Sequence, residues 1–213
     1  MSTKKQSPAD HPLARYLNHA IEHHPKGMMV AMMLTDMGTI GLAYGSIVAL
    51  GIDVPANLAA AYVLTRPLKR PRLPLELATA KLLTMAWPWL SAVKIADMVQ
   101  SFLPAAARVQ APGPNDPKPS LGKRALNFAK NTLNSYGLAY QLGSRAVGLS
   151  LVLATFAALQ AGVDVGAWLE ATFGISTAAS DAAGKWAAAV CVSSVAYPAS
   201  IFVAARLAAM LPL

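Results

Sequence analysis

Residues 186–205 read WAAAVCVSSVAYPASIFVAA, a stretch without any Asp, Glu, Lys or Arg. Crossing a bilayer core of about 30 Å takes about 20 apolar helical residues. This stretch meets that length, and it decides the class: an all-α membrane protein. Two further charge-free stretches lie upstream, at 146–163 and 37–52. The first is long enough to span, and the second becomes so if Asp36 is tolerated at its edge. Only 13% of the chain is charged and 55% is hydrophobic, whereas a soluble domain carries about 25% charge.

The net charge of +8 lies outside the apolar stretches. Cations that flank spans suit a surface of anionic lipid. Nucleic acid, which wants them along one soluble face, is not an expected partner. Cys191 is the only cysteine, so no intramolecular disulfide forms, and its place in an apolar stretch marks it as a small buried hydrophobe. The N-terminal stretch has a basic start but no apolar core, so it does not read as a secretory signal. With one Arg beside Asp10 and Glu22, it also fits a transit peptide poorly.

Reading outward from the apolar stretches divides the chain into a basic head (1–26), a first helical hairpin (27–103), a proline-rich linker (104–120) and a second hairpin (121–213). The linker PAAARVQAPGPNDPKPS denies helix through its prolines. The expected membrane helices run over about 27–52, 75–99, 136–163 and 184–210, with a kink at Pro198. The second is impure, carrying Glu76, Lys81 and Lys94 with Pro88 between two tryptophans, so it either spans or lies in the interface. A short helix is expected at 13–24, and a short apolar piece at 59–64.

The two hairpins read as copies. GIDVPANLA (51–59) and GVDVGAWLE (162–170) match at an offset of 111 residues. Each follows a Gly/Ala-rich apolar helix, which the glycine ends and whose exit the aspartate marks.

The sharpest features are Asp36 and Arg145, charges inside otherwise apolar stretches and 109 residues apart. They precede their motif aspartates by 17 and 19 residues, about 26–28 Å of helix, which places them near the opposite membrane face. A charge at depth costs about 2.5–3.5 kcal/mol, so each wants a partner. They pair with each other or a neighbour, sit at headgroup level, or form an ion relay. Gly38, Gly41 and Gly45 line one side of the first helix, where small residues let another helix approach closely, either from this hairpin or from a partner. Arg66, Lys69, Arg70 and Arg72 form a cationic collar suited to anionic lipid head groups.

No catalytic residue or metal site is expected. All four histidines (His11, His19, His23, His24) precede the spans. His19 and His23, spaced i, i+4, lack a third ligand. No GxGxxG, P-loop or CxxC occurs.

Thr35-Asp36-Met37-Gly38, Gly51-Ile52-Asp53-Val54, Ala61-Tyr62 and the run Arg66-Pro67-Leu68-Lys69-Arg70-Pro71-Arg72-Leu73-Pro74-Leu75 resemble the domain of unknown function in the "family with sequence similarity 210" proteins. The first copy resembles it more closely. The second keeps GVDV and Pro198 but lacks the Arg-x-Pro signature. The resemblance implies a mitochondrial inner-membrane location, with cardiolipin as the anionic lipid, and no cofactor. The expected role is a non-catalytic accessory subunit of a large inner-membrane assembly, such as a respiratory-chain complex, supercomplex or ATP synthase, with other membrane subunits as partners. The alternatives are a membrane-anchored regulator that recruits soluble factors, or a small transporter.

Overall fold

A computed structural model describes residues 7–69, 71–102, 121–162 and 181–211. The linker 104–120, Arg70 and the second motif from Val163 onward lie outside the described residues. Every regular element among the described residues is helical. Three helices are long and apolar enough to cross a membrane: Pro25–Ala49, Leu138–Gln160 and Ala182–Ala208.

The elements follow local chemistry. Helix α1 (Pro12–His23) has proline in its first turn, and the His11 ring accepts from the Leu13 amide at its N-cap. Ala14, Leu17, Ala20 and Ile21 are buried, the one-sided stripe of an amphipathic helix. Helix α2 (Pro25–Ala49) ends where Gly51 takes φ +62°. The Ile52 amide then reaches Ile47 O and the Gly51 amide reaches Val48 O, the paired bonds of a Schellman stop. Helix α3 (Ala56–Thr65) is followed by a 3-10 turn over Pro67–Lys69 and by α4 (Leu73–Ala86). A further 3-10 turn (Pro88–Leu90) leads to α5 (Ile95–Phe102). Helices α6 (Leu121–Tyr136) and α7 (Leu138–Gln160) meet at Gly137, and α8 covers Asp181–Ala208. Gly162, at φ +83°, closes α7 with an amide bond to Leu159 O, so both repeat glycines stop their helices in the left-handed region.

The expected continuous helix over 75–99 does not form. Proline disfavours helical backbone in the residue before it, and Trp87 sits at φ −132°, ψ 81°. Helix α4 therefore has 14 residues, about 21 Å of rise, short of a bilayer core. Pro198, by contrast, lies inside α8, which continues through it.

The chain divides into two compact units, one comprising Met1–Met33, Ala80–Gln141 and Phe202–Leu213, the other Leu34–Thr79 and Leu142–Ile201. Each draws on both halves of the chain. Helices α2 and α7 begin in the first unit and end in the second, whereas α4 and α8 begin in the second and end in the first.

In the first unit α1 packs on α5, on the 3-10 turn Pro8–Asp10 that precedes it and on the turn Pro88–Leu90, and α5 packs on α6. Leu17, Ile21, Val93, Ile95 and Leu138 are fully buried, each contributing about 1.5–3 kcal/mol. Asn18 holds the chain before α5 from both sides: its amide donates to Ala92 O at 2.9 Å, and its carbonyl accepts from the Lys94 amide at 2.8 Å. Glu22 pairs with Lys94 at 2.7 Å, and His11 stacks on Trp89. Gly137 has φ +51°, and a Cβ there would lie 2.7 Å from the carbonyl oxygens of Leu90 and Val93. No residue with a side chain fits that position without backbone movement.

Candidate functional site

The second unit gathers polar groups from three apolar helices. Asp36 projects from α2, Arg145 from α7, and Ser193 and Tyr197 from α8. Arg145 Nη2 donates to Asp36 Oδ2 at 2.7 Å, and Ser193 Oγ donates to Asp36 Oδ1 at 3.0 Å. The Arg145 guanidinium also lies over the Tyr197 ring, 3.6 Å from its centroid. Each charged side chain is 28% exposed, and Ser193 is buried. The carboxylate thus has a partner on each oxygen and the guanidinium has an ion partner and an aromatic face. This arrangement offsets the cost of charge in an apolar helix.

Asp36 lies near the middle of its helix, whereas Arg145 lies two turns into α7. Asp36 has 11 residues of α2 before it and 13 after it. Measuring to the motif aspartate overstated its distance from the helix end, because α2 stops at Ala49 and Asp53 lies beyond the Gly51 turn.

Beside this cluster the same unit holds a cavity of about 430 Å³ whose wall includes Asp36 and Arg145. Arg66, Lys69 and Arg72 line it as well, so three residues of the expected collar turn toward one concavity. Arg72 Nε donates to Glu76 Oε1 at 2.6 Å, where the carboxylate is buried. This arginine reaches α7 at Gly148, where a Cβ would stand in ordinary contact with it, 3.4 Å from its Nη1. The Arg66 guanidinium lies over the Tyr62 ring at 4.2 Å. Hydroxyl groups come from Thr65, Ser144, Ser193 and Ser194, and an apolar side from Leu149, Trp186 and Val190. Tyr44 packs edge-on against Trp186.

Gly38, Gly41 and Gly45 are exposed and do not line the cavity. Nothing lies within 4 Å of a Cβ built on any of them. Among the described residues the chain packs none of its own helices on that face.

Sequence reasoning missed Ser193, Tyr197, Ser144, Tyr62 and Glu76. Glu76 had a usable signal, because it stands four residues after Arg72 on one helical turn. Ser193 and Tyr197 share the same spacing, but a serine in an apolar helix commonly bonds its own backbone, as Ser194 does to Val190 O. Among the described residues no group of three or more His, Cys, Asp or Glu is placed to hold a metal. Comparison with known proteins gives no matching family model, no matching curated protein and no matching solved structure.

Proposed function

We propose that this protein is a non-catalytic subunit of a larger membrane assembly, and that the glycine face of α2 receives a helix from a different chain. One observation carries this reading: Gly38, Gly41 and Gly45 lie exposed along one side of a 25-residue apolar helix with nothing within 4 Å. Glycine in a helix interior costs about 1 kcal/mol relative to alanine. In lipid that cost is offset where small residues let two backbones approach and pack. The architecture proposed with it is a tandem pair of helical hairpins in which the 14-residue α4 is a fourth crossing, too short for an undistorted core and accommodated by local thinning of the bilayer. The family resemblance suggests the mitochondrial inner membrane as location, with a respiratory-chain complex, supercomplex or ATP synthase as host.

The test is purification in mild detergent followed by native gel electrophoresis and mass spectrometry of co-purifying chains. The expected result is migration far above the protein's own 22.3 kDa, with the larger species lost in Gly41→Leu and Gly45→Leu. Migration as a monomer, as a homo-oligomer only, or unchanged in both leucine variants would overturn the reading.

A further inference from the structure

We propose that the cavity of the second unit binds a phosphate group, with Arg66 and Lys69 as its principal cationic contacts. Charge accounting separates the four lining cations into two kinds. Arg145 already carries Asp36 and Arg72 already carries Glu76. These pairs form fixed, nearly neutral parts of the site. Arg66 and Lys69 have no carboxylate partner among the described residues, and both are exposed. They leave the concavity with an excess of two positive charges, which a phosphate monoester, carrying roughly −1.5 to −2 at neutral pH, balances.

The geometry suits that ion. Tyr62 lies under the Arg66 guanidinium and restrains its plane, and a planar guanidinium fork matches two phosphate oxygens. Lys69 adds a point charge from the same short turn. Ser144 lines the cavity, with a hydroxyl able to donate to a further oxygen, while the Thr65 and Ser194 hydroxyls, also in the lining, donate to Tyr62 O and Val190 O. The volume of about 430 Å³ falls in the range of small-molecule sites, about 300–1,000 Å³. Trp186, Val190 and Leu149 give one wall an apolar surface, against which the organic part of a phosphate ester can lie. The phosphate belongs either to an anionic phospholipid headgroup or to a soluble phosphate. The proposal is independent of the helix-partner reading, because none of Gly38, Gly41 and Gly45 lines the cavity.

The experiment uses the full chain in maltoside micelles, titrated with inorganic phosphate by calorimetry at low salt. In parallel, the protein is reconstituted in nanodiscs of phosphatidylcholine with or without phosphatidic acid and examined by native mass spectrometry for retained lipid. Wild type is expected to bind at least one probe, and the Arg66→Gln/Lys69→Gln double variant to bind it at least tenfold more weakly. Lys94→Gln, outside the cavity, should bind as wild type does. Phosphatidic acid retained by wild type and displaced by inorganic phosphate supports the proposal with a lipid source. Phosphate binding that is indifferent to phosphatidic acid supports it with a soluble source. If the double variant unfolds, Lys69→Gln alone serves, with a smaller loss expected. Failure of both probes to bind wild type, or binding by a folded variant within twofold of wild type, overturns the proposal.

Discussion

Arg145 donates to Asp36 at 2.7 Å across 109 residues of chain, joining the apolar helices α2 and α7. Removing one partner of such a pair strands the other charge among apolar helices, which costs more than the pair itself is worth. Asp36→Asn is therefore expected to destabilise the protein in detergent by about 2 kcal/mol. The Asp36→Asn/Arg145→Met double variant should recover at least half of that loss, within the coupling of about 0.5–3 kcal/mol seen for contacting residues. Unfolding of the four proteins in a mixed-micelle denaturant series measures the cycle. Strictly additive losses would mean that the two side chains do not act as a pair.

The glycines at Gly137 and Gly51 separate two causes of strain. Both take positive φ, but only at Gly137 would a Cβ press on backbone, at 2.7 Å from two carbonyl oxygens. Gly51→Ala should cost about 1–2 kcal/mol, the conformational term alone. Gly137→Ala should cost clearly more, because the backbone before α5 must move as well. Thermal midpoints of the two variants in one detergent provide the comparison, and equal shifts would contradict it.

The Glu22–Lys94 pair gives the first unit a pH signature. A hydrogen bond from Lys94, followed by its charge, holds the Glu22 carboxyl below its ordinary value, and the same contact holds the Lys94 ammonium above its own. A depressed carboxyl contributes stability that is present above its unfolded pKa, about 4.3, and is lost as pH falls through the lower folded value. A raised ammonium contributes stability that is present below its unfolded pKa, about 10.4, and is lost as pH rises through the higher folded value. Protection of the α1 amides, taken relative to intrinsic exchange at each pH, should therefore be greatest between these limits. Lys94→Met should flatten the profile, since the Lys94 backbone bond to Asn18 is retained. Both groups are exposed, so 1 M salt should remove most of the difference. A wild-type profile already flat at low salt would contradict the assignment.

Topology is checked by the sidedness of the ends. Residues 1–33 and 202–213 belong to one unit, so under the proposed four-crossing architecture N- and C-terminal tags are expected on the same side of a sealed vesicle. Protease should cleave both tags or neither. Cleavage of one and protection of the other would leave three crossings and place α4 in the interface.

The spanning helices were legible because a bilayer imposes its length on a sequence directly. The charge-free runs at 37–52, 146–163 and 186–205 lie almost wholly within α2, α7 and α8. The break after α4 was only half legible: Pro88 was visible, but the run around it stayed apolar enough to suggest continuity. The site was less legible still. Asp36 and Arg145 stood out as isolated charges, yet their mutual pairing depends on which faces of α2 and α7 meet, and no local pattern records that. The collar residues were visible as a charge run. That Arg72 turns to Glu76 while Arg66 lies over Tyr62 is decided by packing.

The separation of Asp36 from Arg145 also sets a schedule for synthesis. Chains elongate at about 5–20 residues per second, so the 109 residues between the two take roughly 5–20 s to make. During that interval α2 exists with a carboxylate near its middle and no counter-ion yet made for it. The nascent first half is then a temporarily unfinished product, which the cell's insertion machinery must shelter until α7 emerges. A chain truncated before Arg145 carries that defect permanently.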